Sequence, residues 1–310
     1  MMYLVLGVAI GVLMPNQSAI NNRLRHAVST PWVMAAISFL VGTACLLLLT
    51  WTTVGTVGLD PGHLSAQPWW IWSGGVFGVI GMTTNVLLLP VIGALYSTVL
   101  NLTAQVITTL IIDHFGLFDV DRYPADAWRL LGASIVMLAA VLAVVAGRSR
   151  VQADRPAPSR GWYLAGLGIG VCFGLQVAVN GQLTLVLGSA IHSAFVSFLV
   201  GTIVLITLVV LTRSPLRLRV PDGETHNPWW MWLGGVLGAL YVTGVAFLSP
   251  LIGSAVTVVV VQVGLIAGAL LVDQFGLLSA PKRAVRPLQV IGLLLMITGV
   301  VVMNAPKILA

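Results

Sequence analysis

The sequence predicts an all-α membrane protein with ten transmembrane helices, arranged as two inverted five-helix repeats. Three observations carry this. Of 310 residues, 58% are hydrophobic and 8% charged, against about 25% charged in a soluble domain. That leaves too little polar surface to clothe a water-soluble globule. Apolar runs of about 20 residues, the length that crosses a bilayer, recur ten times. Short motifs also return at offsets of 159 or 160 residues, which marks an internal duplication.

The ten apolar runs are 2–21, 31–54, 69–89, 93–113, 128–147, 162–183, 190–212, 229–249, 253–273 and 287–304. The first has no basic n-region, so it does not read as a signal peptide. The connections around Pro90–Gly93 and Pro250–Gly253 are short and predict tight helical hairpins. Two longer polar interruptions are 148–161 and 213–228. The first is Pro-containing and lies near mid-chain, so it reads as a cytoplasmic linker. It divides a first repeat, 1–147, from a second repeat, 162–310.

The duplication is explicit in the residues. SFLVGT occurs at 38–43 and again at 197–202. Pro68-Trp69-Trp70, Trp72 and Gly74-Gly75 return as Pro228-Trp229-Trp230, Trp232 and Gly234-Gly235. Pro90-x-x-Gly93 returns as Pro250-x-x-Gly253, and Asp113-x-Phe-Gly-Leu as Asp273-x-Phe-Gly-Leu. Five crossings per unit is an odd number, so the second unit starts on the opposite face. The repeats are then inverted about an axis in the membrane plane.

Basic residues set the orientation. Arg23, Arg25, Arg148, Arg150, Arg155, Arg160, Arg213, Arg217, Arg219, Lys282, Arg283 and Arg286 fall on one side. Only Arg122, Arg129 and Lys307 fall on the other. The positive-inside rule places the crowded side in the cytoplasm and both termini outside. The same rule accounts for the formal charge of +6 without a nucleic-acid partner. Cys45 and Cys172 lie in apolar runs and read as small packing residues. The five histidines show no metal-ligand spacing. No cofactor and no metal are expected.

Polar residues inside the apolar runs are the candidate site, because an amide in hydrocarbon is costly unless it finds partners or water. Gln17 and Asn21 lie one helical turn apart on one face, and Gln176 and Asn180 repeat them 159 residues on. Asn85, Asn101 and Gln105 add amides in the first repeat, and Gln262 adds one in the second. These eight residues are expected to line a substrate path, the alternative being interhelical hydrogen bonding. Asp113 and Asp273 end equivalent helices. They are expected to act as gating or proton-linked carboxylates, the alternative being local capping or pairing with an arginine. The Trp69–Trp72 and Trp229–Trp232 clusters read as an interfacial belt. Gly74-x-x-x-Gly78, Gly234-x-x-x-Gly238, Ser38-x-x-x-Gly42 and Ser197-x-x-x-Gly201 read as close-packing motifs on a mobile helix seam.

Gln-x-x-x-Asn near the first helix end, SF-x-V-GT in the second and ID-x-FG-L after the fourth together resemble the YdcZ family of the drug/metabolite transporter superfamily. The resemblance covers both halves and describes a fusion of two such units. It implies an inverted-repeat fold and an inner-membrane exporter of small metabolites or toxic compounds. The second half departs at one place: Leu265 stands where Gln105 stands in the first, and its glutamine is Gln262. No acid lies in helix 1, where small multidrug exporters of the superfamily carry one.

The expected function is secondary transport of a small polar or amphipathic molecule by alternating access, in a bacterial inner membrane, as monomer or homodimer. The helix 1–4 and 6–9 segments should form the cavity. Competing readings are a flippase for a lipid-linked molecule, a scaffold whose amides fill one another, and an enzyme. The enzyme reading rests on His114-x4-Asp119, the spacing of glycerolipid acyltransferases. Gly166-x-Gly168-x-Gly170 follows no strand and so fails as a nucleotide site.

Overall fold

A computed structural model describes residues 1–55, 66–147, 159–220, 226–279 and 282–306. These residues are helical, apart from turns and one isolated bridge between Val28 and Leu218. The helices are α1 (Met2–Ala27), α2 (Pro31–Val54), α3 and α4 (74–92 and 94–115), α5 (Ala127–Ala146), α6 (Arg160–Leu187), α7 (Ala190–Leu211), α8 (Gly234–Ile252), α9 (Ser254–Phe275) and α10 (Pro287–Met303). Among the described residues, seven helices are long and apolar enough to cross a membrane, and 74–88 and Pro287–Met303 are shorter apolar helices. Most of the linker, at 148–158, and Lys307 lie outside the described residues.

Helix α1 continues to Ala27, one and a half turns past its apolar run, because Arg23, Leu24, Arg25 and Ala27 are good helix formers. The expected hairpin at Pro90–Gly93 is a break inside one continuous element, Gly74–Phe115. Gly93 there takes φ 77°, ψ 165°. Its counterpart Gly253 takes φ 89°, ψ 153° and separates α8 from α9. Only glycine occupies that region freely, which accounts for its recurrence. The Phe-Gly-Leu motif is a helix stop: Gly116 and Gly276 cap α4 and α9 in the left-handed conformation.

Packing crosses between the halves. Helix α1 lies along α9, α6 along α4, α5 against α10, and α2 against α7. The contacts are reciprocal. Gly7 meets Val260 and Gly11 meets the backbone at Val261, while Gly166 meets Leu100 and Gly170 the backbone at Asn101. The SFLVGT motif interlocks with its own copy. Phe39 and Phe198 stack at 4.8 Å, each ring lies on the other copy's glycine, Gly201 or Gly42, and Thr43 Oγ1 and Thr202 Oγ1 share a 2.8 Å hydrogen bond. Equivalent residues of the two copies thus meet each other.

Directions also follow from contacts. Gly132 packs at Met303 and Gly292 at Ala139 and Ala143, so α5 and α10 are antiparallel. Asp113, ending α4, touches Ser254 and Ala255, which start α9. The equivalent helices α4 and α9 therefore also run oppositely. A large buried cluster around Val106, Val136, Leu248, Val259, Val260, Met296 and Val300 joins α4, α5, α8, α9 and α10.

Candidate functional site

The amide face of α1 is directed at α8 of the other half. Asn21 Oδ1 lies against the bare Cα of Gly234, and Gln17 Nε2 against Gly238. The mirrored arrangement seats Asn180 on Gly74 and Gln176 on Gly78 of α3. Each Gly-x-x-x-Gly motif is thus the floor for one amide pair, since both motifs share the i, i+4 spacing. The two outer asparagines are buried and bonded. Asn21 Oδ1 accepts from Ser38 Oγ at 3.2 Å, and Asn180 Nδ2 donates to Ser197 Oγ at 3.2 Å. The Ser-x-x-x-Gly serines therefore hold asparagines.

Asn180 Oδ1 is enclosed without a partner, and the glutamines are less buried than the asparagines. Gln17 and Gln176 are half-buried. Gln17 Oε1 is enclosed with no hydrogen-bond partner, and among the described residues nothing hydrogen-bonds the Gln176 amide. Buried amides without partners are uncommon and mark places where water or a ligand completes the bonding.

The remaining amides are spread along α3, α4 and α9. Asn85 Oδ1 accepts from Ser97 Oγ at 2.6 Å, joining α3 to α4. Asn101 is half-buried, with its Oδ1 enclosed and unpartnered. Gln262 Nε2 donates to Gln105 Oε1 at 3.1 Å. The two glutamines that are not at equivalent positions meet across the α4–α9 contact, because their shift of register brings the side chains to one level.

Asp113 is wholly buried. Its Oδ2 pairs with Arg129 Nη2 at 2.9 Å and accepts from Ala255 N at 3.0 Å, and its Oδ1 accepts from Ser254 N at 3.0 Å. The carboxylate therefore caps the N-terminus of α9, where amides and helix dipole favour a negative charge. Asp273 is half-buried, and the position matching Arg129 is Gln289. Both aspartate carbonyls anchor the following loop, accepting from Tyr123 N and Arg283 N.

His114 Nδ1 accepts from the Ala125 amide at 3.0 Å, and Gln274 Oε1 performs the same task for Val285 at 2.8 Å. The histidine pins a loop, and Asp119 is exposed beyond it. A catalytic dyad needs Nδ1 to donate to the aspartate, which this geometry does not provide. Arg23 is buried and donates to Asn227 Oδ1 at 3.2 Å.

Sequence reasoning passed over Tyr241. It is the one tyrosine in the middle of a helix, and it shares the α8 face of Gly234 and Gly238. It keeps accessible surface, and no described residue hydrogen-bonds its hydroxyl. Its counterpart is Gly81, over which Phe173 packs instead. The signal was present as a Gly-to-Tyr difference between repeats.

Apolar helices of spanning length with polar side chains held inside them define a multi-pass membrane protein. The profile of the family described as "Putative inner membrane exporter, YdcZ" matches twice, at residues 2–142 and 161–302. The chain belongs to that family, in its two-repeat form. A crystal structure described as "Crystal structure of protein" shares the fold with TM-score 0.67, over 98% of this chain and 97% of that one, at 15% identity. No curated protein matches the sequence.

Proposed function

We propose that the chain is a secondary exporter of a small polar or amphipathic metabolite, working by alternating access with ten crossings in two inverted repeats. The antiparallel course of α4 against α9 and of α5 against α10 supports inversion about an axis in the membrane plane. The twelve-to-three division of basic residues supports a cytoplasmic linker and outward termini.

One observation carries the mechanism: equivalent helices are packed unequally. Helices α1, α8, α6 and α3 form a chain of contacts in that order, and α6 also packs along α7. At the α6–α8 contact Gly181 is buried against Ser249 and Pro250. The equivalent α1–α3 contact is not made to a comparable extent among the described residues, and Asn22, the counterpart of Gly181, is exposed. A duplicated structure closed at one end and parted at the other accounts for two states: exchanging the packing of the repeats exchanges the open side. In the proposed orientation the parted end faces the cytoplasm, where an exporter collects its cargo.

Gln17 and Gln176 are the proposed substrate contacts, with Asn85 and Asn101 beside them. Asn21, Asn180, Gln105 and Gln262 hold helices together, Asp113 braces the helix break before α9, and Asp273 anchors the loop after α9. Cells carrying the intact chain should release a metabolite that cells carrying Gln17→Leu/Gln176→Leu, expressed at equal level, retain. An unchanged efflux profile would overturn the assignment.

A further inference from the structure

Every Asp, Glu, Lys, Arg and His of the described helices sits within a few residues of a helix end: Arg23, Arg25 and His26 in α1, Asp113 and His114 in α4, Arg129 in α5, Arg160 in α6, His192 in α7 and Asp273 in α9. The middle of the bundle holds no formal charge. A charged solute brought there would lose its hydration with no counter-charge to receive it. Among the described residues, partnerless buried atoms include Asn101 Oδ1, Asn180 Oδ1 and Thr50 Oγ1, with His192 Nε2 beside a helix end. Along the α1–α8 contact they are the Gln17 Oε1 atom and the Tyr241 hydroxyl, an amide and a phenol.

Their placement is coherent. On α8, Gly234, Gly238, Tyr241, Val245 and Leu248 form one stripe at three- and four-residue spacing. Asn21 and Gln17 meet its first two members, and Gly7 approaches Leu248. Tyr241 therefore stands one turn beyond the Gln17 seat, in the α1–α8 seam. In the α3–α6 seam the matching place is filled, since Phe173 covers Gly81. At this level Phe173 fills one seam, and in the other Tyr241 is partly buried against the large core cluster with a hydroxyl that no described residue bonds.

We infer that the α1–α8 seam takes an uncharged solute with a planar apolar body and hydrogen-bonding polar atoms. The Tyr241 ring packs on the body, and its hydroxyl bonds a polar atom of the solute. The Gln17 amide binds a polar atom, and the absence of interior charge rejects cations and anions alike. Tyr241 is the specificity residue. This rests on the transport reading for its biological meaning, but binding is measured independently.

The test uses the purified full-length protein and three probes with one ring: benzamide (neutral), benzamidine (cationic) and benzoate (anionic). Benzamide should raise the unfolding temperature by about 2 °C or more at saturation, and the other two should not. Tyr241→Phe should unfold as the native chain does without ligand and bind benzamide about three- to tenfold more weakly, the worth of one hydrogen bond. Tyr241→Gly, which copies the first repeat, should abolish the shift. Equal or greater stabilisation by benzamidine or benzoate overturns the inference and leaves transport standing. So does an unaltered benzamide affinity in Tyr241→Phe, or no shift with any probe. Selective benzamide binding in a protein whose efflux profile ignores Gln17→Leu/Gln176→Leu sustains the site and overturns export through it.

Discussion

At the scale of the residue, Asp113 shows how a charge survives among apolar helices. Its oxygens accept from an arginine and two backbone amides, so the ion is paired and solvated by the protein. Asp113→Asn should destabilise the purified chain by about 3–5 kcal/mol, because Arg129 stays buried without its partner. Arg129→Gln places the second repeat's Gln289 chemistry in the first. The double variant should lose less than the two single losses together, with a coupling of about 0.5–3 kcal/mol in a thermal-unfolding cycle. Additive losses would show that the pair is not coupled. The sequence displayed Asp113 and Arg129 sixteen residues apart, within reach of each other over one loop. It could not display the third participant, since Ser254 lies 141 residues away and a helix N-terminus has no side-chain signature of its own.

At the scale of the element, the small-residue motifs and the amide pairs are two halves of one device. Gly234 and Gly238 carry the spacing of Asn21 and Gln17, as Gly74 and Gly78 carry that of Asn180 and Gln176. Both sets were legible along the chain. Which helix receives which was not, because periodicity defines a face but not its neighbour. Gly234→Ala should force the Asn21 carboxamide off its seat and away from Ser38, at a cost of about 1–3 kcal/mol. Adding Asn21→Ala should recover part of it, since the overlapping group is then gone; unfolding of the single and double variants measures both. Helix ends were less legible than helix existence. Helix α1 overran its apolar run by six residues because polar side chains at a membrane surface do not stop a helix.

At the scale of the whole molecule, the duplication was readable from offsets alone, and the packing across it follows the same correspondence. The inequality between repeats was only partly readable. Asn85 opposite Val245 and Tyr241 opposite Gly81 are visible, but the separation of α1 from α3 depends on backbone positions. In a chain with Cys45 and Cys172 replaced by alanine, Asn22→Cys should react with a membrane-impermeant thiol reagent in inside-out vesicles. It should resist the reagent in intact spheroplasts; the reverse pattern would place the parted end outside. A last consequence concerns synthesis. Helices α1, α2, α4 and α5 each have their most extensive neighbour, α9, α7, α6 and α10, in the second repeat. When the ribosome has delivered residue 147, the inserted portion has no permanent company for most of its surfaces, and Gln17 and Asn21 face lipid until α8 is made. At about 5–20 residues per second, that wait lasts several seconds. The early helices must therefore endure alone in the bilayer before the molecule they belong to exists.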